Sequence, residues 1–354
     1  MKIRLVKHRG RDALELTEVE KAEELIGKLR GEGIRIFKTG NRLIIPVDDN
    51  VVDQTRRIVD AARSIGENVE EIDVEGYDEK QIMDMIETSI RESGEEKLRA
   101  LGETALETVR DIDLCAVPGV VYAIFGVASI GKTRLSVRLA YELSLLGYRP
   151  IFIVSEANWG FGEKNMFKMV RELMPDAEIV EAYTIKDIAA NMFKRLNSRL
   201  EKSIIVYDSF GATAHAVGES ILQREVEKLM DLERMGEEAE LRVEPAQISA
   251  RVIPLLNIIT RALATYAART GSIVICIAHE SQTVMRRWHG YTVKPSFGER
   301  SLHYMYAIYR LSRHERGDRR LTCMVHREKP ELEGKSVTIS RTLLDLETLI
   351  RKGK

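Results

Sequence analysis

The sequence predicts an α/β protein with two parts, a large, mostly parallel twisted sheet covered by helices and a small α+β domain before it. From Val120 onward, short β-branched runs alternate with longer helical stretches, as in a parallel sheet that is buried on both faces. The first 76 residues alternate instead between strand and helix periods. A charged helical segment separates these two patterns.

The composition is that of a globular chain of 354 residues, with 44% hydrophobic and 31% charged residues. Such values exclude collagen-like, low-complexity and wholly disordered chains. The 54 Lys and Arg balance 55 Asp and Glu, so a nucleic-acid or anionic-membrane contact would need a local patch.

The sequence shows neither a targeting signal nor a cysteine spacing typical of disulfides or zinc sites. Three separated cysteines without a CxxC pair argue against a disulfide framework or a zinc site. The basic start is not followed by an apolar signal-peptide core or a small-residue cleavage site, and no apolar run reaches the roughly 18 residues of a membrane span. We therefore expect a cytoplasmic protein without a membrane partner. Few Asn and Gln against many charged residues are typical of a thermophile.

Residues 1–76 predict the element order β-α-β-β-α-β of a small ferredoxin-like domain. The expected elements are a strand at Lys2–Lys7, a helix at Thr17–Arg30, a hairpin of Ile34–Phe37 and Leu43–Val47, a helix at Asn50–Ile65 and a strand at Val69–Val74. We expect residues 77–113 to form a helical linker and residues 114–354 to form the large domain.

The sharpest motif is GVASIGKT, which fits G-x-x-x-x-G-K-[ST] between an apolar strand and a helix. A phosphate-binding loop must curl so that its backbone N–H groups point inward, which we expect to require glycine at Gly126 and Gly131. Lys132 can then reach the phosphates of ATP, and the Thr133 hydroxyl can bind Mg²⁺. The predicted nucleotide-binding residues are Gly126, Val127, Ala128, Ser129, Ile130, Gly131, Lys132, Thr133 and Arg134.

Two carboxylates follow apolar strands. Asp208 ends SIIVYD and suits the role of holding Mg²⁺ through water. Glu156 ends PIFIVSE, where a carboxylate at the carboxyl edge of a parallel sheet could orient water for attack on the γ-phosphate. Taken singly, each could instead be a solvated acid at the rim of the sheet.

The last core strand, SIVICIAHE, ends in His279 and Glu280. A polar residue at that edge can sense the γ-phosphate and move the loop after it. A surface histidine or a turn cap is the alternative interpretation of His279.

The motifs GVASIGKT, IVSE, IIVYDS and IAHES together resemble the RecA-superfamily ATPase core, most closely the archaeal RadA/RadB recombinase branch, with KaiC-like ATPases as near relatives. The resemblance covers residues 114–347, including predicted antiparallel strands near the C-terminus. It implies that Lys132 and Glu156 are catalytic, that Thr133 and Asp208 bind Mg²⁺, and that the protein assembles as a homo-oligomer or with a RecA-like partner.

The loop after His279 carries a basic and aromatic run, as expected of a single-strand binding segment. Its predicted DNA-binding residues are Arg286, Arg287, Trp288, Tyr291 and Lys294. An exposed basic loop with an inward-packed Trp is the alternative interpretation. Residues 219–244 are acidic instead and predict a protein contact or an ordinary solvated helix.

These features lead to one functional hypothesis and two alternatives. The first is an accessory ATPase of DNA recombination or repair that acts on single-stranded DNA. The second is a KaiC-like regulatory ATPase that switches protein partners without binding DNA. The third is a nucleotide-binding scaffold with little turnover.

Overall fold

The computed structural model describes residues 1–8, 11–47, 51–69, 71–73, 91, 93–160, 165–198, 200–234, 245–282, 293–296 and 299–352. The chain divides into two compact units, Met1–Ser93 and Gly94–Lys354. Each unit has its own buried apolar clusters. The predicted boundary at residue 76 falls outside the described residues, as do residues 77–90 and 92 of the predicted linker.

Within the residues that the structure describes, the first unit contains a five-stranded sheet and the helices α1 and α2. Its elements are β1 (Lys2–His8), β2 (Arg11–Thr17), α1 (Ala22–Gly31), β3 (Phe37–Thr39), β4 (Arg42–Pro46), α2 (Val51–Ser64) and β5 (Glu71–Asp73). The strand order is β3-β4-β2-β1-β5, with β1 and β5 parallel and the other pairs antiparallel.

The predicted element order was wrong in one respect, because it assigned no strand to Arg11–Thr17. The first strand of the predicted hairpin is also displaced, from Ile34–Phe37 to Phe37–Thr39. This strand places its apolar residues Ala13, Leu14 and Leu16 in the core and pairs with β1 in a hairpin. Thr17, predicted to begin the first helix, ends the strand, and the helix begins at Ala22. The ferredoxin-like assignment of this unit stays a prediction.

The second unit is built on the large sheet. Its strands are β6 (Val121–Gly126), β7 (Arg149–Val154), β8 (Glu178–Glu181), β9 (Ser203–Asp208), β10 (Ile273–Gln282), β11 (Val293–Pro295), β12 (Ala307–Arg313), β13 (Arg319–His326) and β14 (Ser336–Ile339). Its helices include α3 (Ala105–Val109), α4 (Lys132–Leu145), α5 (Met166–Leu173), α6 (Phe210–Arg234), α7 (Pro245–Thr270), α8 (Glu299–Leu302) and α9 (Leu346–Lys352). Residues 93–101 are also helical, and a further helical stretch joins Ile185–Asp187 and Lys194–Ser198 through a π-helical turn at Ile188–Phe193.

The strand order of the large sheet is β14-β13-β12-β6-β10-β9-β7-β8, and β11 pairs with β10. The strands from β12 to β8 in this order are parallel, whereas β13, β14 and β11 are antiparallel to their neighbours. The prediction of an α/β fold with a large, mostly parallel sheet is confirmed. Strand β8 was not predicted, because its EIVE sequence has only two apolar residues.

Both faces of the large sheet are buried. Tyr122 and Ile124 of β6 face one apolar cluster, and Val121, Ala123 and Phe125 face the other. Helices α4 and α5 cover the first face, and α6 and α7 cover the second. This double coverage explains why the core strands are continuous apolar runs instead of alternating ones.

Helix α6 contains residues 219–234 of the acidic segment that the sequence analysis identified at 219–244. Val217 and Ile221 pack on the sheet, whereas Leu222 and Val226 are exposed to 43% and 39%. Residues 235–244 lie outside the described part of the chain. Within the described part, no helix is long and apolar enough to cross a membrane.

Candidate functional site

The predicted phosphate-binding loop joins the end of β6 to the start of α4, which is the strand-turn-helix context that the motif requires. Gly131 has φ +106°, a conformation that strongly favours glycine. Gly126 is needed for another reason than predicted: its φ is not left-handed, but an added Cβ would lie 2.3 Å from the carbonyl oxygen of Leu311 on β12. The loop therefore needs both glycines, one for its turn and one for close strand contact.

Lys132 is folded into its own loop. Its ammonium donates hydrogen bonds to the carbonyl oxygens of Gly126 at 3.0 Å and Val127 at 2.8 Å. Burial lowers the pKa of Lys132, although the carboxylates of Asp208 and Glu156 oppose this shift. A buried cation held by neutral carbonyls at a helix N-terminus is a strong site for an anion.

Thr133 and Asp208 are in direct contact. The Thr133 hydroxyl donates a hydrogen bond to Asp208 Oδ2 at 2.7 Å, and the indole N–H of Trp159 donates to the same oxygen at 2.8 Å. Burial raises the pKa of Asp208 to about 6, with a further contribution from the nearby charge of Glu156. The site thus keeps a desolvated carboxylate beside a hydroxyl at the first turn of α4.

Glu156 lies just beyond β7 and is held by three donors. His279 Nε2 donates to Oε1 at 3.1 Å, the Ser209 hydroxyl donates to the same oxygen, and Asn158 Nδ2 donates to Oε2 at 2.9 Å. The hydrogen bond from His279 is the largest cause that lowers the pKa of Glu156 to about 2, against the opposing effect of burial. Glu156 is therefore an oriented carboxylate that stays ionised far below neutral pH.

His279 reaches Glu156 across an intervening strand. In the sheet, β9 lies between β10, which carries His279, and β7, which precedes Glu156. The path crosses the start of α6 at Gly211, where an added Cβ would lie 2.5 Å from His279 Cδ2. Gly211 therefore leaves the space in which the imidazole lies.

The ends of β7 and β9 are also joined through Ser155. Its hydroxyl donates to the carbonyl oxygen of Ser209 and accepts from the Ser209 N–H, both at 2.8 Å. The backbone N–H of Ser155 donates to the carbonyl oxygen of Asp208 at 2.7 Å. These bonds fix the two carboxylate-bearing segments relative to each other.

Arg134 and Glu280 have other partners. Arg134 forms two hydrogen bonds to the carboxylate of Glu347, at 2.9 and 3.1 Å, so its side chain faces the C-terminal segment. Glu280 accepts two hydrogen bonds from Arg310 of β12. Their roles in nucleotide binding and sensing stay predictions, and for Arg134 the role would rest on its backbone N–H.

Four of the five predicted DNA-binding residues, Arg286, Arg287, Trp288 and Tyr291, lie outside the described residues. Lys294 is described and belongs to β11, which pairs antiparallel with the end of β10. Residues 283–292 therefore connect the two strands of a hairpin whose paired residues begin at Glu280, directly after His279.

The sequence analysis missed Trp159, Ser209, Asn158 and Gly211 as members of this site. Asn158 and Trp159 follow Glu156 closely, and Ser209 and Gly211 follow Asp208, so proximity to the predicted carboxylates was an available signal. Which of these neighbouring side chains point into the site depends on the backbone conformation, and a sequence motif does not specify that conformation.

The arrangement suits a polyphosphate and a hard divalent cation. Among the described residues, no group of three or more His, Cys, Asp and Glu could hold a metal by itself. Mg²⁺ at phosphate sites commonly takes one or two protein ligands, with phosphate and water oxygens supplying the rest. The pair of Thr133 and Asp208 matches that requirement.

No protein-family model matches the chain, and no curated protein does either. Among solved structures, the crystal structure of the RadB recombinase is similar, with 18% sequence identity and a TM-score of 0.43. The match covers 65% of this chain and 92% of the RadB chain. This likeness is too distant to carry an argument, so the interpretation of the site rests on its own geometry.

Proposed function

We propose that the protein is a Mg²⁺-dependent ATP hydrolase of the RecA/RadA type. The observation that carries this proposal is the Glu156 carboxylate, held by three donors beside the phosphate-binding loop and the Thr133–Asp208 pair. A strand-end acid that was merely solvated would not have its orientation fixed from two neighbouring strands.

The loop from Gly126 to Thr133 would hold the phosphates through its backbone N–H groups. Lys132 would exchange the carbonyl oxygens of Gly126 and Val127 for phosphate oxygens, which suit a desolvated ammonium better. Thr133 and Asp208 would hold Mg²⁺, which when bound neutralises charge on the phosphates.

Glu156 would accept a hydrogen bond from the attacking water and align it with the γ-phosphorus. Because its pKa is about 2, Glu156 is ionised at neutral pH and available for this orientation. The oxygen of the water would form its bond to phosphorus as the bond to the β-phosphate oxygen breaks, with ADP as the leaving group and the proton of the water passing to the released phosphate. His279 would report the state of Glu156 to the β10–β11 hairpin.

The test is Glu156→Gln, which keeps the shape of the side chain and removes its charge. We expect kcat to fall by about 10²-fold or more, while ATP binding in filter or anisotropy assays is retained. Glu181→Gln is the matched control, because Glu181 is an exposed acid at the end of the adjacent strand β8. A Glu156→Gln variant with the wild-type rate would refute the proposal.

We further propose that the ATPase is an accessory factor in DNA recombination or repair that binds single-stranded DNA. The supporting observation is the hairpin, since Glu280, Ser281 and Gln282 pair with β11 and so join the His279–Glu156 contact to the basic segment. Base stacking on Trp288 and Tyr291, with phosphate contacts from Arg286, Arg287 and Lys294, would supply sequence-tolerant affinity.

Fluorescence anisotropy with a labelled single strand at several salt concentrations tests this second proposal. We expect salt-sensitive binding that falls by at least about tenfold in Arg286→Ala/Trp288→Ala, since each stacked base contributes about 1–3 kcal/mol. An active ATPase without DNA binding would instead favour the KaiC-like alternative, a switch for protein partners. Assembly as a homo-oligomer or with a RecA-like partner belongs to both versions of the proposal.

A further inference from the structure

Trp159 occupies an unusual place beside the proposed magnesium site. It lies in the short 3-10 turn Ala157–Gly160, three residues after Glu156, and is only 1% exposed. Its indole N–H donates a 2.8 Å hydrogen bond to Asp208 Oδ2, the same oxygen that accepts from Thr133. Two donors therefore fix one oxygen of this carboxylate, which leaves Oδ1 outside both hydrogen bonds.

The indole ring is itself fixed by aromatic packing. The ring centroid of Phe152, on β7, lies 5.7 Å from that of Trp159. The ring centroid of Phe167, on α5, lies 5.6 Å from that of Trp159. A buried indole needs a partner for its N–H, and here that partner is a buried carboxylate instead of a backbone carbonyl. The donor therefore cannot rotate away without breaking apolar contacts.

We propose that Trp159 is a positioning residue for the metal-holding carboxylate. The proposal rests on the function proposed above, in which Asp208 takes Mg²⁺. The indole N–H holds Asp208 in the orientation that receives the cation, and it couples the segment that carries Glu156 to the strand that carries Asp208. Loss of this donor should weaken the response to Mg²⁺ more than it weakens nucleotide binding without metal.

The primary test compares Trp159→Phe with Phe167→Leu in the full chain. Trp159→Phe removes the donor and keeps a ring, whereas Phe167→Leu disturbs the same aromatic cluster without touching Asp208. We expect Trp159→Phe to raise the Mg²⁺ concentration for half-maximal hydrolysis by about tenfold, since a hydrogen bond to a charged group is stronger than one between neutral groups. ADP affinity in EDTA should change less than about twofold in both variants.

A spectroscopic measurement tests the same contact in a chain that keeps Trp159. The protein has two tryptophans, so Trp288→Phe leaves Trp159 as the single emitter. We expect the Trp159 emission to change when Mg²⁺ is added in the presence of ADP, and to stay constant when ADP is added in EDTA. This measurement decides the question even where Trp159→Phe does not fold.

The outcomes separate the two proposals. Equal Mg²⁺ dependence in Trp159→Phe and Phe167→Leu, or an emission that does not respond to Mg²⁺ while hydrolysis does, would overturn the role of Trp159. A wild-type chain whose hydrolysis and ADP affinity are both independent of Mg²⁺ would overturn the proposed function itself. A selective loss of Mg²⁺ response in Trp159→Phe supports both.

Discussion

Asp208 illustrates, at the scale of single residues, a conflict between stability and proposed chemistry. Its side chain is buried and its pKa is raised to about 6 from an ordinary value of 3.8. An ionised Asp208 therefore costs stability at neutral pH. Two hydrogen bonds to Oδ2 offset only part of the cost of desolvation.

We predict that Asp208→Asn stabilises the nucleotide-free protein at pH 7.5 while it abolishes Mg²⁺-dependent hydrolysis. The amide oxygen can still accept from Thr133 and Trp159, but the buried charge is gone. The gain should be at most about 3 kcal/mol, from about 1.4 kcal/mol for each unit of pKa shift. Urea unfolding at pH 7.5 measures it.

The pH dependence gives this prediction its control. Because the folded pKa is raised, the penalty is fully present above about pH 6. It declines as the pH falls from there and vanishes below 3.8, where both states are protonated. The difference between wild type and Asp208→Asn should therefore shrink between pH 6 and pH 4. A constant difference across that range would contradict the assignment.

At the scale of elements, the first turn of α6 needs glycine at position 211, because the imidazole of His279 packs against it. We predict that Gly211→Ala lowers kcat by about tenfold, because the added Cβ would displace His279 from Glu156. It should also fail to give the stabilisation of up to about 1 kcal/mol that Gly→Ala brings within a helix. Steady-state hydrolysis and urea unfolding measure the two effects.

Gly27→Ala is the control for helix propensity. Gly27 lies within α1, and an added Cβ there would meet nothing within 4 Å. This variant should gain stability without a change in hydrolysis. If Gly211→Ala behaved in the same way, the imidazole would not need the space that Gly211 leaves.

Motif chemistry and strand periodicity were enough to predict the loop between β6 and α4, the four central strands and the carboxylates at or just after their ends. Phosphate binding by that loop stays a prediction. These features depend on local sequence, since a buried parallel strand must be continuously apolar. Strand β2 was missed although its partner β1 is adjacent in the sequence, because the consecutive buried residues Ala13 and Leu14 depart from strict alternation. The contact of Gly126 with Leu311 could not be predicted from local sequence, because it depends on which distant segment lies alongside. Trp159 belongs to the same group: its partner Asp208 is 49 residues away.

At the scale of the whole molecule, the two compact units have separate cores. Every described residue of the proposed ATP site belongs to Gly94–Lys354, whereas one apolar cluster lies within Met1–Ser93. The finer division into residues 1–76, 77–113 and 114–354 stays a prediction.

We predict that calorimetry of the full chain shows two transitions, of which Mg²⁺ with ADP raises only one. At a ligand concentration of about 100 times Kd, the stabilisation should be about 2.7 kcal/mol. Leu14→Ala, within the core of the first unit, should lower the temperature of the other transition, because it reduces the free energy of unfolding of that unit by about 2–5 kcal/mol. A single transition that responds to both changes would contradict independent cores.

The positions of Asp208 and Glu156 follow from the pairing of β7 with β9, in which Val154 lies opposite Asp208. Neighbouring strands are held about 4.8 Å apart by their backbone hydrogen bonds, whatever their side chains are. The pairing of β7 with β9 thus sets the distance between the backbone positions from which Glu156 and Asp208 extend. Substitutions in surface loops or on the outer faces of helices would leave the spacing between β7 and β9 unchanged. A shift of one residue in the pairing of these strands would separate Glu156 from Asp208.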